Sequence, residues 1–184
     1  TPGSFDVTVT DATPPVLSAA PGPITVYTGA EATTCTATAT WAALTATDHC
    51  GGVTVTSNHV PGAAFPIGTT TVTYTAVDDA GNEAEDSFTV TVIDNTFPTI
   101  TAPAAITRGA DAGMCSAAIS NLGAPVFGDN CTGATVSNNA PAVFPTGNTT
   151  VTWTVTDAAG NKATATQLVT VEDTEDPVLT LPSD

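Results

Sequence analysis

The chain has 184 residues, and 18 Asp and Glu against two Lys and Arg give it a formal net charge of −16 at pH 7. A surface this negative repels nucleic-acid phosphates and anionic membrane faces, so we expect neither nucleic-acid binding nor membrane insertion. Such a surface favours the binding of divalent cations, or it serves only to keep the protein soluble. No apolar run near 18 residues and no signal-peptide pattern is present, so we interpret the sequence as an interior part of an exported protein.

The chain opens with alternating apolar residues at Phe5, Val7 and Val9, which predict the last strand of a preceding repeat over residues 1–10. A proline-bearing junction follows and occurs three times, beginning at Asp11, Asp94 and Asp173. Proline ends a strand and stiffens a linker. These junctions predict one repeat over 11–93, a second over 94–172, and the start of a third over 173–184, with the domains stacked end to end.

Six short strands are predicted in each full repeat, because apolar and polar residues alternate between turns rich in Gly, Pro and Asx. In the first repeat they cover 15–19, 24–28, 34–41, 53–57, 70–77 and 87–93. In the second they cover 99–101, 105–107, 115–119, 134–137, 149–156 and 166–172. No segment has a convincing helical period. The fold class predicted is all-β, as tandem Ig-like antiparallel β-sandwiches.

One stretch shows the repeat most clearly. Residues 65–82 recur at 144–161, with 12 of 18 positions identical. In both copies Phe-Pro-x-Gly predicts a turn, an alternating strand follows, and Asp-x-Ala-Gly-Asn predicts a second turn. Phe65 and Phe144 are expected to plug the core beside the first turn. Trp41 and Trp153 are also expected to pack in the core and not to form a sugar-binding platform.

Each repeat contains two cysteines, Cys35 and Cys50 in the first and Cys115 and Cys131 in the second. An even number in small β-domains predicts disulfides and an oxidising compartment. Only the pairs Cys35–Cys50 and Cys115–Cys131 keep both copies alike, so these pairs are predicted. Closing such a loop contributes about 3 kcal/mol. Metal binding by the cysteines is the weaker alternative, because there is no Cys-x-x-Cys motif.

The order of these motifs resembles the hyalin repeat (HYR) domain over essentially the whole chain. The resemblance rests on Asp-x-x-x-Pro, Asp-x-Cys, Phe-Pro-x-Gly-x-Thr-x-Val, Asp-x-Ala-Gly-Asn and a closing Val-Thr-Val. Animal members typically place one cysteine near the opening Pro and another before the last strand, and neither is present here. The spacing of Cys35 and Cys50 instead resembles large bacterial surface arrays. The resemblance implies an Ig-like sandwich that serves extracellular adhesion or acts as a structural spacer.

The recurring acidic residues predict a calcium site where each domain begins. In an Ig-like sandwich, the loop between the last two strands lies near the junction that precedes the domain. Ca²⁺ prefers six to eight hard oxygen ligands from flexible loops. The candidate ligands are Asp11, Asp48, Asp78 and Asn82 in the first repeat, Asp94, Asp129, Asp157 and Asn161 in the second, and Asp173 at the next junction. The alternative is that each Asp-x-Ala-Gly-Asn is a turn capped by its own Asp.

These features together predict a non-catalytic structural or adhesive module at the cell surface. Its partners would be neighbouring repeats of the same chain, which could assemble into a rod or filament stiffened by disulfides and interdomain Ca²⁺. The two copies share turns and core positions but no nucleophile. The alternative function is a glycan- or protein-binding accessory module of a secreted multidomain protein.

Overall fold

The computed structural model describes residues 3–179, and these form two compact units. Unit 1 contains Thr34–Asp94 and the residues up to Gly29, and unit 2 contains the residues from Asn95 onward. The described residues form strands and turns without any helix. They accordingly include no apolar helix long enough to span a membrane. The predicted all-β fold of tandem sandwiches is confirmed.

Unit 1 contains eight strands: β1 Val16–Leu17, β2 Ile24–Tyr27, β3 Thr36–Thr38, β4 Ala46–Thr47, β5 Val53–Ser57, β6 Ala64–Pro66, β7 Gly68–Asp78 and β8 Glu83–Ile93. One layer is a four-stranded sheet in the order β2-β8-β7-β5, and two short pairs, β1-β4 and β3-β6, supply the opposite layer. The core lies between the layers, where Phe65 from β6 meets Val72 and Tyr74 from β7 and Val90 from β8.

Unit 2 repeats this plan with β9 Thr99–Thr101, β10 Ile106–Gly109, β11 Ser116–Ala117, β12 Val126–Gly128, β13 Thr135–Asn138, β14 Phe144–Pro145, β15 Gly147–Thr156 and β16 Lys162–Glu172. Its large sheet has the order β10-β16-β15-β13, and its short pairs are β9-β12 and β11-β14. Phe144, Val151, Trp153 and Val169 form the buried core.

The long hairpin of each unit follows from the alternation in the sequence. Val72, Tyr74 and Ala76 are 0–3% exposed on the inner face of β7, while the intervening threonines face outward or lie part-buried. This confirms the predicted strand, although β7 and β8 extend several residues beyond it. Gly68 has a φ of 101°, a conformation that favours glycine. At that point the chain passes from β6 in the small pair to β7 in the large sheet.

Two predictions about the strands need correction. The sheets are not antiparallel throughout, because β2 pairs parallel with β8 and β10 pairs parallel with β16. Residues 3–10 form no strand, and Phe5, Val7 and Val9 are exposed. A strand needs a neighbour to satisfy its backbone groups, and no described strand pairs with this segment. The predicted start of a third repeat forms no strand over 173–179, and the rest of it lies outside the described residues.

Candidate functional site

The turn after β7 forms one end of unit 1, and Asp78 organises it. The Oδ1 atom of Asp78 accepts hydrogen bonds from the backbone N–H groups of Ala80 (2.9 Å) and Asn82 (2.8 Å). Its Oδ2 atom accepts from Asn82 Nδ2 at 2.8 Å. Gly81 adopts a φ of 89°, whereas no non-glycine residue in the described chain has a positive φ. The Asp78–Asn82 segment is therefore a self-capped turn with its left-handed conformation at Gly81.

The junction residue Asp11 lies against this turn. Asn82 Nδ2 donates to the backbone carbonyl of Asp11 at 3.4 Å. One ligand atom from each of Asp11, Asp48 and Cys50 lies within 4.8 Å of the other two. Asp48 Oδ2 accepts from the backbone N–H of Cys50 at 2.9 Å, which holds Asp48 in place. The folded chain thus brings together the four residues predicted in repeat 1, and it adds a thiol that the prediction did not place there.

This end of unit 1, with Asp11, Asp48, Cys50 and the Asp78–Asn82 turn, is termed its leading end; the opposite end, with Ile93, is its trailing end. Asp79 also belongs to the leading end, because its Oδ2 accepts from the backbone N–H of Gly52 at 2.8 Å. A contact between residues 27 positions apart leaves no local sequence signal.

At the leading end, the pKa of Asp78 is lowered and the pKa of Cys50 is raised. The main cause that lowers the pKa of Asp78 is the side-chain hydrogen bond from Asn82. Partial loss of hydration raises this pKa, and the hydrogen bonds from backbone N–H groups lower it further. The negative charge of Asp11 is the main cause that raises the pKa of the Cys50 thiol, followed by loss of hydration and by the charge of Asp48. Cys50 therefore stays protonated at neutral pH.

Unit 2 forms the same turn at its own leading end, which is defined by the Asp157–Asn161 turn. Asp157 Oδ1 accepts from the backbone N–H of Asn161, and Oδ2 accepts from Asn161 Nδ2, both at 2.7 Å. Asp129 repeats the role of Asp48, because its Oδ2 accepts from the backbone N–H of Cys131 at 3.0 Å. The other oxygen, Oδ1, is buried without a hydrogen-bond partner. Burying a carboxylate charge without a partner is unfavourable, and a bound cation would stabilise it.

The two remaining candidate ligands have local partners. Asp94 is buried at the trailing end of unit 1, where its Oδ1 accepts from Thr28 Oγ1 at 2.8 Å. Asp173 Oδ1 accepts from the backbone N–H of Glu175 at 3.1 Å, which forms a local turn on the exposed segment after β16.

The predicted cysteine pairing is wrong. Cys50 and Cys115 have free, exposed thiols, whereas Cys35 and Cys131 are each in a disulfide-bonded state. Neither Cys35–Cys50 nor Cys115–Cys131 forms, because the two cysteines of a repeat lie on different parts of the sandwich. Cys35 directly precedes β3, which pairs with β6. Cys50 lies with Asp11 and Asp48 at the leading end.

The four aromatic residues predicted to lie in the cores do pack there: Phe65, Phe144, Trp41 and Trp153. Trp41 donates from Nε1 to the hydroxyl of Tyr74 at 2.8 Å, and its ring lies 5.2 Å from that of Phe88. Phe65 and Phe144 are fully buried. His59, which repeat 2 lacks, stacks on Phe65 with ring centroids 5.1 Å apart.

Gln167 is a buried polar residue for which the sequence gave no signal. It is 1% exposed on β16, and its Oε1 accepts from Trp153 Nε1 at 3.1 Å. Its Nε2 donates to the backbone carbonyls of Ala104 and Leu122, each at 2.8 Å.

The folded chain is thus a tandem β-sandwich repeat protein in which each copy closes its longest hairpin with an Asp–Asn turn. The profile of the HYR domain matches residues 10–92 and 93–171. The chain therefore belongs to the HYR domain family, as its motifs had indicated.

Two hyalins support this assignment. The chain is 39% identical to hyalin of Lytechinus variegatus over 98% of its length and 37% identical to hyalin of Strongylocentrotus purpuratus over 98%. It spans 36% and 16% of those two proteins, respectively. It is also 32% identical, over 60% of its length, to part of the serine-rich adhesin for platelets of Staphylococcus aureus. A solved structure of protocadherin gammaB7 EC3-6 overlaps 87% of this chain and 51% of that chain, with 14% identity and a TM-score of 0.43.

Proposed function

We propose that this chain is a non-catalytic extracellular module that serves as a structural or adhesive spacer in a larger surface protein. The observation that carries the proposal is what the two copies share: a core built around Phe65 or Phe144, and an Asp–Asn turn at the leading end. Two residues unique to repeat 1 that could suggest chemistry, His59 and Trp41, have packing roles. His59 stacks on Phe65, and Trp41 packs against Phe88.

The leading end of unit 1 is the proposed Ca²⁺ site. Asp11 and Asp48 supply the direct ligands, because their oxygens lie within 4.8 Å of each other and are part-exposed. Asp78 has a supporting role, since hydrogen bonds within its turn already engage both its oxygens. The proposed ion offsets the repulsion between these carboxylates, and waters complete its coordination. Repeat 2 carries the same residue types at Asp94, Asp129, Asp157 and Asn161.

Thermal melting with Ca²⁺ and with chelator tests this site. Calcium modules outside the cell bind with Kd of about 10⁻⁴–10⁻³ M. A concentration ten times Kd stabilises the folded state by about 1.4 kcal/mol, which raises the melting temperature of a unit this size by about 6–11 °C. The double variant Asp11→Asn/Asp48→Asn is expected to lose this response for unit 1. Glu85→Gln is the matched control, because it removes one charge near the start of β8, outside the Asp11–Asp48 pair, and keeps an acceptor for Thr75. Equal melting temperatures with and without Ca²⁺ would remove calcium from the proposal.

The spacer role also implies that consecutive repeats form a rod, with neighbouring repeats as partners and filaments as a possible assembly. Bound Ca²⁺ would stiffen each junction by neutralising carboxylates that otherwise repel. Small-angle X-ray scattering of the 184-residue chain tests this. We expect the profile of an elongated particle in Ca²⁺ and a broader distribution of sizes after chelation. A compact profile in both conditions contradicts the rod.

The alternative, a glycan- or protein-binding module, is favoured by one observation. Repeat 2 exposes Phe97 and Phe127 at positions where repeat 1 has Pro14 and Ala46. Exposed aromatic residues present in one copy only are typical of a binding surface. Glycan-array binding by the unaltered chain that Phe127→Ala abolishes would support this function, and the absence of binding at high protein concentration would count against it.

A further inference from the structure

Residues 148–150 of unit 2 are Asn-Thr-Thr, and they lie at the start of the long strand β15. Asn followed two positions later by Ser or Thr, with any residue except Pro between them, is the acceptor pattern for N-linked glycosylation. A glycan is bulky and hydrophilic, so a folded protein accommodates it only where the Asn lies at the surface. The fold around Asn148 therefore decides whether this match is usable.

Asn148 is exposed on the outer face of the large sheet of unit 2. Val151 is buried on the inner face, and alternation along β15 places Asn148 and Thr150 on the opposite face, where both are exposed. On one side of β15, β13 pairs with residues 153–156, and no other described strand lies there. A Cβ atom on neighbouring Gly147 would meet nothing within 4 Å. The surroundings of Asn148 thus leave room for a glycan.

The side-chain amide of Asn148 has its nitrogen available. Its Oδ1 atom accepts a hydrogen bond from Thr170 Oγ1 at 2.9 Å, on the adjacent strand β16. Within residues 3–179, no group accepts a hydrogen bond from its Nδ2 atom. N-linked glycans attach through this nitrogen, and the modified amide keeps its oxygen as an acceptor. The bond from Thr170 is therefore compatible with glycosylation and fixes the direction of the side chain.

The other match to the pattern in unit 2, Asn130-Cys131-Thr132, lacks these properties. Asn130 is half-buried, and its Oδ1 atom is fully buried. The middle residue, Cys131, is in a disulfide-bonded state. A glycan on Asn130 would displace the groups that cover its amide, so we expect Asn130 to be unmodified in the folded protein.

We propose that Asn148 is an N-glycosylation site and that its glycan lies over the part of the outer face formed by Thr150 and Thr170. In the transfer step, Asn148 Nδ2 forms a bond to the anomeric carbon of an oligosaccharide carried on a lipid pyrophosphate. The bond from that carbon to the pyrophosphate oxygen breaks, the lipid pyrophosphate leaves, and Nδ2 loses one proton to a base. This inference rests on the extracellular location proposed above, and on neither calcium nor adhesion.

Secretion of the 184-residue chain from a eukaryotic cell line, behind an added signal peptide, tests the proposal. Peptide mass mapping should find a glycan on Asn148 that peptide-N-glycosidase removes, and none on Asn130. Asn148→Gln and Thr150→Ala should abolish the modification, whereas Thr150→Ser keeps the acceptor pattern and should retain it. Secreted protein without a glycan at Asn148, or with one only at Asn130, would overturn the proposal. Because the chain is still secreted in that outcome, the spacer role and the calcium site would stand.

Repeat 1 supplies a matched control for the position. The residue aligned with Asn148 is Thr69, which is exposed at the start of β7 and pairs with Thr91 as Asn148 pairs with Thr170. Thr69→Asn completes an acceptor pattern with Thr71. In an Asn148→Gln background, this substitution should restore one glycan, now on unit 1. Secretion of that variant without a glycan would contradict the claim that this position of the sandwich admits one.

Discussion

Gln167 distinguishes the core of unit 2 from that of unit 1, where the aligned residue is Phe88. Replacing Gln167 with Leu keeps a side chain of similar size but removes three hydrogen bonds, one buried and two part-buried. Trp153 Nε1 loses its acceptor, and the carbonyls of Ala104 and Leu122 lose their donor. We expect this substitution to destabilise unit 2 and to leave unit 1 unchanged.

The magnitude follows from these contacts. Each buried polar group left without a partner costs about 1–3 kcal/mol, and burying the more apolar Leu side chain recovers about 1.5–3 kcal/mol. The expected net loss is about 3 kcal/mol. For a unit of this size, that lowers the melting temperature by about 12–24 °C.

Urea unfolding monitored by Trp fluorescence measures this loss. The protein contains two Trp residues, so a Trp41→Phe background makes Trp153 the reporter for unit 2. Leu168→Gln is the control, because it exchanges the same two residue types in the opposite direction on the exposed face of β16. Its effect should stay within about 0.5 kcal/mol. A Gln167→Leu change equally small would refute the role given to this hydrogen-bond network.

Three further predictions concern unit 1. Phe65→Ala should cost about 3–5 kcal/mol in urea unfolding, because Phe65 is fully buried in the core; a loss below 1 kcal/mol would contradict that burial. The lowered pKa of Asp78 contributes stability that is present above its unfolded pKa and lost as pH falls through the folded value. Asn82→Ala removes the main cause of this lowered pKa. The melting temperature of the variant, measured from pH 7 to pH 2, should therefore fall less steeply on acidification than that of the unaltered protein. Parallel curves for the two proteins would refute this. Asp11→Asn should speed maleimide labelling of Cys50 at pH 8, because the charge of Asp11 is the main cause that raises the pKa of this thiol; an unchanged rate would contradict it.

The sequence predicted the long strands better than the short ones, for a physical reason. In β7 and β15, apolar residues alternate with threonine over ten or more positions, and this pattern fixes which face is buried. β4 and β14 contain two residues each, which is too short for a period to appear. These strands depend on a distant partner, as when Phe144 pairs with Ala117. The parallel pairing of β2 with β8 also joins residues that are far apart in the sequence, such as Ile24 and Val90, so no local pattern predicts it.

The sequence correctly predicted which residues come together at the leading end of unit 1. It did not correctly predict the pairing of the cysteines. Asp11, Asp48, Asp78 and Asn82 do converge in unit 1, because the loop between the last two strands lies beside the preceding junction. The predicted pairing within each repeat is wrong because repeat symmetry says nothing about where the two cysteines lie within one sandwich. In unit 1, Cys35 directly precedes β3 and Cys50 lies at the leading end.

Calorimetric titration of Ca²⁺ into the 184-residue chain tests the central claim most directly. We predict saturable binding with Kd of about 10⁻⁴–10⁻³ M and, in the Asp11→Asn/Asp48→Asn variant, a reduced number of bound ions. The Glu85→Gln control should bind like the unaltered protein. The absence of saturable heat, or the same stoichiometry in the double variant, would contradict the assignment of the leading end of unit 1 as a calcium site.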